Sequence, residues 1–271
     1  MAGTSFVHNI VAALELSLLS KAVSTGIVPI TRYHVRRWYL PGFRAFTIPI
    51  QCQVPHGSQA APETARHHPR QPKGGVGKTT VASALAVRAA EESKRVALLD
   101  LDPQESLSSW WTRRGKTKNP KLFEVDAAVE AIELLISEGW HWVFVDTGPA
   151  RIDLIESGVA VSDLVLIPTR PSAFDIEQTA LCVELCENHS KPYAFVLNHA
   201  PPGTKLTKTS TKFLQQNGGT VIDAPITYRT SYMAATTVGK SAPEVEKGDI
   251  ARREIDALWV AVKNLVAEKP P

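Results

Sequence analysis

The 271-residue sequence predicts an α/β fold in which a mostly parallel sheet is covered by helices on both faces. Three observations support this prediction. Short, continuously apolar runs recur along the chain, as is typical of strands buried on both faces. Helical patterns separate these runs from residue 81 onward. Several runs end on an acidic or amide side chain, which is expected at the carboxyl edge of a parallel sheet, where such folds bind ligands.

Hydrophobic periodicity places the individual elements. It predicts strands at 95–99, 122–125, 141–145, 164–167, 193–197 and 220–222. It predicts helices at 81–92, 104–112, 127–138, 152–161, 174–188, 205–217, 228–236 and 249–268. The last helix carries an apolar stripe formed by Ile255, Leu258, Trp259, Val262 and Leu265. We expect this stripe to pack against the domain rather than to lie on a membrane, because the opposite face is not strongly basic.

A glycine-rich octet, Lys73-Gly74-Gly75-Val76-Gly77-Lys78-Thr79-Thr80, precedes the first of these helices. It is a variant of the P-loop pattern with a lysine at the start of the loop. Its glycines let backbone N–H groups turn towards phosphate oxygens without Cβ clashes, and the helix dipole faces the same phosphates. Lys78 suits the outer phosphates, and the Thr79 hydroxyl suits Mg²⁺. The octet therefore predicts a P-loop NTPase fold that binds ATP and Mg²⁺ through Gly74, Gly75, Val76, Gly77, Lys78, Thr79 and Thr80.

Polar side chains at three strand ends complete the predicted site. Asp100 and Asp102 flank one residue directly after the run 95–99, and Asp146 follows the run 143–145. An isolated Asp at a strand end often caps a helix or forms a turn, but two acids downstream of a P-loop favour a functional role. We predict that Thr79 and Asp146 hold the metal. Asn198, at the end of 193–197, is either a turn residue or a nucleotide contact.

The octet, the segment Asp100-Leu101-Asp102-Pro103-Gln104 and the run Val143–Pro149 together resemble the ParA/MinD family of deviant Walker A ATPases. The resemblance covers about two hundred residues, from Lys73 to near the C-terminus. It implies that Lys73 reaches the phosphates of a partner's ATP in an ATP-dependent homodimer. It further implies that Asp102 orients the attacking water, so Lys73, Lys78 and Asp102 form the expected catalytic set. By the same resemblance Asp100 lies near the Mg²⁺ and joins Thr79 and Asp146 as a metal residue, and Asn198 reads the adenine edge. Gly148 departs from the family, which usually has two prolines after the Asp-Thr pair.

The resemblance implies a partition ATPase that hydrolyses ATP slowly with Mg²⁺ and switches a DNA-bound dimer to a released monomer. Arg229, Arg252 and Arg253 are the residues we expect to bind DNA without sequence preference. The expected partner is a centromere-binding, ParB-like protein, and the expected location is the cytoplasm, on the nucleoid and not on a membrane. One alternative is a family member that positions another cargo or assists conjugation. Another is an inactive pseudo-ATPase that lacks the first strand.

Residues 1–72 differ from the ATPase domain predicted for 73–271. They hold five of the eight histidines and only two acids, Glu15 and Glu63. A short helix at 10–19 and a strand at 46–54 fit their pattern, but Arg66–Pro72 cannot be the strand that a P-loop follows, because it has two prolines and no apolar side chain. Reading the codons of residues 66–71 one nucleotide later allows Val, Ile, Thr, Leu, Ala and Asn. Residues 1–71 are therefore either a wrong-frame translation or a disordered extension.

Composition argues against membrane-spanning, disulfide-rich and iron–sulfur proteins. No apolar run reaches the roughly 18 residues of a membrane span. The three cysteines form neither a disulfide framework nor a metal set, which indicates a reducing compartment. Cys182 and Cys186 fall on one predicted helix, which disfavours a cluster-binding iron–sulfur protein. Outside residues 1–72 there are 23 basic and 25 acidic side chains, so any DNA-binding surface there must be a local patch.

Overall fold

A computed structural model describes residues 44–48, 75–92, 94–125, 128–149, 151–246 and 248–267. The six strands are β1 (Arg44–Ile48), β2 (Val96–Leu101), β3 (Lys121–Phe123), β4 (Trp142–Thr147), β5 (Leu164–Thr169) and β6 (Tyr193–Leu197). The first helices are α1 (Lys78–Glu91), α2 (Ser106–Arg113), α3 (Ala128–Ser137), α4 (Ile152–Val161) and α5 (Ala173–Glu177). They are followed by α6 (Ala180–Asn188), α7 (Lys205–Gln216), α8 (Thr230–Thr237), α9 (Ala242–Val245) and α10 (Ile250–Ala267).

The strands form one sheet in the order β3-β2-β4-β1-β5-β6, and every pairing is parallel. All carboxyl ends therefore meet at one edge. Asp100 of β2 pairs with Asp146 of β4, and Ile48 of β1 pairs with Asp146 on the other side. The parallel α/β fold predicted from the sequence is confirmed.

Strand β1 occupies the centre of the sheet, between β4 and β5. A strand was predicted at 46–54, and the structure places one at 44–48. The 26 residues 49–74 separate its end from Gly75, whereas a P-loop normally follows its strand directly. The predicted helix at 10–19 and the segment 66–72 lie outside the described residues. The division at residue 73 and the two interpretations of residues 1–72 stay predictions.

Both faces of the sheet are buried, and the side chains alternate between them. Leu98, Phe144 and Leu166 face a core that α1 and α10 cover. On the opposite face Ala97, Leu99 and Val143 pack under α3, while Val165, Ile167 and Phe195 pack under α4 and α6. Burial on both faces explains why the strands appear in the sequence as continuous apolar runs rather than alternating ones.

Helix α10 places its predicted apolar stripe in the first of these cores. Ile255, Leu258, Trp259 and Val262 are each at most 1% exposed, and Leu265 packs against them. Trp259 lies against Trp142 with ring centroids 4.6 Å apart. The prediction that this stripe packs against the domain is confirmed. Of the helices in the described ranges, none has both the length and the apolar character needed to cross a membrane.

Three elements differ from the sequence-based assignment. The helix predicted at 174–188 is two helices, α5 and α6, separated at Gln178 and Thr179. The strand predicted at 220–222 is a single bridge between Val221 and Phe195. The short helix α9 was not predicted. It begins with a capping box in which Ser241 and Glu244 each bond the other's backbone, and it has a proline in its first turn.

Candidate nucleotide-binding site

The P-loop ends at the open N-terminus of α1. Gly75 and Gly77 have φ of 131° and 85°, in the region that favours glycine. Gly77 is the N-cap residue, no side chain caps the helix, and the first turn contains no acidic residue. The N–H groups of residues 78–80 precede the first intrahelical bond, which runs from the Val81 N–H to the Gly77 carbonyl (2.9 Å). This end of the helix is therefore suited to bind an anion.

Lys78 lies at this helix end, among the carboxylates of the sheet edge. Burial lowers the pKa of its ammonium group, while the nearby charges of Asp146 and Asp102 act in the opposite direction. The two carboxylates thus help to keep a largely buried lysine positively charged. A buried cation beside a helix N-terminus is a strong binding site for phosphate oxygens.

Thr79 and Asp146 meet across the loop and fit a magnesium ion. The Thr79 hydroxyl donates a hydrogen bond to Asp146 Oδ2 (2.6 Å). Asp146 is fully buried, and its Oδ1 has no hydrogen-bond partner. Burial raises the pKa of Asp146 to about 7, and the hydrogen bond from Thr79 only partly offsets this. A buried carboxylate oxygen without a partner beside a threonine hydroxyl is a donor set that Mg²⁺ accepts.

Asp100 pairs with Asp146 on the neighbouring strand, and both of its carboxylate oxygens already accept hydrogen bonds. Asp100 Oδ2 accepts hydrogen bonds from the N–H and the hydroxyl of Ser108 (both 2.8 Å), and Oδ1 accepts one from the Asp102 N–H (3.2 Å). Burial raises its pKa although these bonds lower it. The described residues contain no group of three or more His, Cys, Asp or Glu side chains arranged around a metal. Mg²⁺ commonly takes one or two carboxylates and fills its remaining positions with water and phosphate, so Asp100 fits a supporting position.

Asp102 is 8% exposed, and its Oδ1 accepts a hydrogen bond from the Gln104 N–H (2.9 Å). It lies at the same sheet edge as Asp100 and Asp146, because its N–H donates to Asp100 Oδ1 (3.2 Å) and its carboxylate lies against Gly148, two residues after Asp146. Asp100, Asp146 and Asn198 were predicted to gather at the carboxyl edge of the sheet, and each lies at or directly after the end of its strand there. Their individual roles stay predictions.

Asn198 supports the P-loop from the end of β6. Its side-chain N–H donates to the Val76 carbonyl (2.6 Å), and its side-chain oxygen accepts from the His199 N–H (2.9 Å). A Cβ at Gly77 would lie 2.0 Å from Asn198 Nδ2, so only glycine fits there. The predicted adenine contact stays a prediction, since in this structure the amide of Asn198 binds the loop itself.

Arg170 was not predicted to belong to the site. It follows β5, and its Nη2 donates to the Gly75 carbonyl (2.6 Å), across 95 residues of sequence. Its Nε is buried without a hydrogen-bond partner. No local motif marks this arginine, because the contact exists only once β5 lies beside the central strand.

The remaining predicted residues fall in two groups. Lys73 and Gly74 lie outside the described residues. The three candidate DNA-binding arginines are described: Arg252 makes two hydrogen bonds to Glu91 (2.5 and 3.0 Å), and Arg229 Nε lies 3.6 Å from a Glu254 oxygen. Arg253 is exposed, with a weak bond from Nε to the Asp249 carbonyl (3.4 Å). Two of the three arginines are therefore engaged by acids of the same chain.

A glycine-rich loop at a helix N-terminus, with a lysine, a threonine and a strand-end aspartate around it, defines a P-loop nucleotide-binding protein. Residues 71–242 match the family described as "CbiA: CobQ/CobB/MinD/ParA nucleotide binding domain". This match spans more than half of the chain, and the protein belongs to that family.

Three comparisons illustrate the relationship. The chain is 27% identical over 197 residues to "Maintenance of carboxysome distribution protein A" of Halothiobacillus neapolitanus, covering 69% of this chain and 90% of the relative. It is 28% identical over 190 residues to "Protein ParA" of Rhizobium radiobacter, covering 62% and 80%. The solved "MinD cell division protein" of Aquifex aeolicus superimposes with a TM-score of 0.60 at 17% identity, covering 84% of this chain and 99% of that one, which shows the shared fold.

Proposed function

We propose that this protein is a ParA-like partition ATPase that binds ATP with Mg²⁺, dimerises in the ATP-bound state and hydrolyses ATP to ADP and phosphate. The observation that carries the proposal is the convergence of Lys78, the hydrogen-bonded pair Thr79 and Asp146, and the uncapped N-terminus of α1. Lys78 and the helix N–H groups bind the phosphates in this scheme. Thr79 and Asp146 hold Mg²⁺, which supplies electrostatic stabilisation of the phosphate oxygens, and Asp100 keeps the neighbouring loop in place.

Asp102 orients the attacking water in this proposal. It lies on the loop after β2, one residue beyond the end of the strand and next to the metal-binding carboxylate. The role of Lys73, to offset the charge of the partner's ATP across the dimer, follows from the family resemblance alone.

The first test is nucleotide binding by Lys78→Ala. Removing a buried cation that faces phosphates is expected to weaken ATP affinity at least a hundredfold. Lys94→Ala, an exposed lysine between α1 and β2, is the matched control and is expected to bind as the wild type does. Titration with a fluorescent ATP analogue measures both variants, and an unchanged affinity of Lys78→Ala would refute the assignment of the P-loop.

DNA binding is the second part of the proposal. The basic side chains that are exposed and not held by an acid of the same chain are its candidate phosphate contacts. Helix α7 presents three exposed lysines, Lys205, Lys208 and Lys212, and contains no acidic residue. No ion pair in the described part of the chain involves them. Arg253 is exposed as well, whereas Arg229 and Arg252 would have to leave Glu254 and Glu91 to reach a phosphate. Binding without sequence preference needs only such phosphate contacts.

This part is tested by comparing three variants on a non-specific DNA duplex in the presence of ATP: Arg253→Ala, Arg252→Ala, and a triple variant with alanine at positions 205, 208 and 212. A variant that has lost phosphate contacts should bind the duplex more weakly than the wild type. The affinity of such a variant for DNA should also depend less steeply on the salt concentration. Unimpaired ATP hydrolysis with no DNA binding by the wild type would instead favour a cargo-positioning ATPase. The similarity to a carboxysome distribution protein favours this second candidate.

A further inference from the structure

Gly148 follows β4 directly and lies against the side chain of Asp102. A Cβ at this position would lie 2.3 Å from Asp102 Oδ1, 2.7 Å from its Cγ and 3.0 Å from Pro103 Cδ. Its backbone is not in the left-handed region that favours glycine. In this chain the constraint is one of space: the Asp102 carboxylate occupies the volume that a Cβ at position 148 would fill, including the Cβ of the proline that is usual in the family.

The carboxylate cannot simply turn away, because the loop holds it from the other side. Asp102 Oδ1 accepts from the Gln104 N–H (2.9 Å), and the Asp102 N–H donates to Asp100 Oδ1 (3.2 Å). Asp100 is itself fixed by two bonds from Ser108. The loop thus holds the Asp102 carboxylate through Oδ1, and Gly148 lies against that same oxygen.

We infer that Gly148 is a positioning residue for ATP hydrolysis and acts by fixing where the Asp102 carboxylate lies. The inference rests on the proposed function, in which Asp102 orients the attacking water. Real Cβ contacts stay beyond about 3 Å, so a methyl group at position 148 moves the carboxylate oxygen by the order of 1 Å. A displacement of this size in a catalytic group costs about 10- to 100-fold in rate.

The effect is expected in turnover and not in nucleotide affinity. The atoms that bind phosphate, namely the helix N–H groups and Lys78, are not among the three nearest heavy atoms that a Cβ at Gly148 meets. Gly148→Ala should therefore lower kcat at least tenfold and leave ATP affinity within about twofold. Gly248→Ala is the matched control, because a Cβ there has Glu246 Oε1 at 3.9 Å as its one near contact.

A double-mutant cycle with Asp102→Ala identifies the route of the effect. If Gly148 acts through the Asp102 carboxylate, adding Gly148→Ala to Asp102→Ala changes kcat by less than twofold. The inference is overturned if Gly148→Ala hydrolyses ATP like the wild type, if it loses affinity as much as turnover, or if its loss persists in the Asp102→Ala background. Should Gly148→Ala fail to fold, the double variant decides the matter, since deleting the carboxylate removes the clash and should restore cooperative unfolding.

The same measurements separate this inference from the proposed function. Normal turnover by Asp102→Ala removes the water-orienting role of Asp102, and both ideas fail together. Impaired turnover by Asp102→Ala with normal turnover by Gly148→Ala defeats the inference alone.

Discussion

At the scale of single residues, the Thr79–Asp146 pair is the part of the proposed site that a metal ion would contact. The two side chains bond each other directly, and Asp146 keeps one oxygen without a partner in a fully buried position. Burial of an unpaired charge is costly, which is why the pKa of Asp146 rises to about 7. A divalent cation removes that cost by supplying the missing positive charge.

Thr79→Val should make ATP binding insensitive to Mg²⁺. The substitution removes the hydroxyl but keeps the side-chain shape, so binding in EDTA should change little while the gain on adding Mg²⁺ disappears. Titration of ATP with and without Mg²⁺ measures this difference. Thr209→Val, an exposed threonine on α7, is the control, and an equal loss of the Mg²⁺ effect in both variants would argue against a specific role for Thr79.

At the scale of elements, α2 connects the sheet edge to the segment after α8. Its first turn bonds Asp100 through Ser108. Near its C-terminal end, Trp110 Nε1 donates to the Lys240 carbonyl (3.1 Å), and Arg114, the residue after the helix, donates to the Gly239 carbonyl (3.1 Å). A Cβ at Gly239 would lie 2.1 Å from the Arg114 nitrogen, so this contact needs glycine. The loop with Asp100 and Asp102 is thus held in place by the C-terminal part of the domain.

Glu244 of α9 anchors this connection, and its stabilising effect should depend on pH. Burial by itself would raise the pKa of Glu244, but two hydrogen bonds from Arg114 (2.9 and 3.0 Å) and those from Ser241 outweigh it and lower the pKa below its usual value of 4.5. A group with a lowered pKa in the folded state stabilises the fold above its unfolded pKa and loses that effect as pH falls through the folded value.

Glu244→Gln should therefore lower the free energy of unfolding by about 1–3 kcal/mol at neutral pH, since it leaves Arg114 without its carboxylate. The difference from the wild type should begin to shrink as the pH falls below 4.5, the usual value, and should disappear as the pH falls through the lowered pKa of Glu244 in the folded state. Urea unfolding of both proteins at several pH values measures this difference in the free energy of unfolding. Glu133→Gln, on the exposed face of α3, should show neither effect, and a pH-independent deficit for Glu244→Gln would contradict the ionic explanation.

The central strand β1 yields the second prediction about elements. It pairs with β4 over five residues and with β5 over two, so the sheet depends on it from both sides. Removing residues 1–43 should leave cooperative unfolding intact, whereas removing residues 1–48 should abolish it. Far-UV circular dichroism and thermal melting compare the two deletions. Equal stability of both would show that Arg44–Ile48 is dispensable in solution.

A third variant tests the wrong-frame interpretation of the N-terminal segment. It begins at residue 66 and carries Val, Ile, Thr, Leu, Ala and Asn in place of residues 66–71, which supplies an apolar strand directly before the P-loop. Recovery of folding and of ATP binding by this variant would favour that interpretation. Failure to recover either would favour the extension as written.

The sequence predicted most elements because their signals are local, and it missed those that depend on contacts. The break between α5 and α6 contains neither Gly nor Pro, so the helical pattern runs through it. The contact of Arg170 with Gly75 joins residues 95 apart and leaves no trace in spacing. Gly148 was recognised as a departure from the family, but its contact with the Asp102 carboxylate appears only in three dimensions.

At the scale of the whole molecule, the last helix, α10, packs against α1, the helix that follows the P-loop. Its inner face fills the core beneath α1, and its outer face bonds α1 through Arg88 to Asp256 and Lys263 to Glu92. These ion pairs are partly exposed and contribute little individually. The stability that α10 confers should therefore come mainly from its buried apolar side chains, and among them from Trp259.

Trp259→Ala should reduce the free energy of unfolding by about 3–5 kcal/mol, because it leaves a cavity against Trp142 and Phe144. Val260→Ala, one residue further on and 51% exposed, is the control and should change stability by less than about 0.5 kcal/mol. Chemical denaturation with matched m-values measures both variants. If the last helix acted at a membrane surface instead, Trp259→Ala would unfold like the control and lose binding to anionic vesicles. The burial of Trp259 against the sheet predicts the opposite pair of results: a destabilised domain and no change in vesicle association.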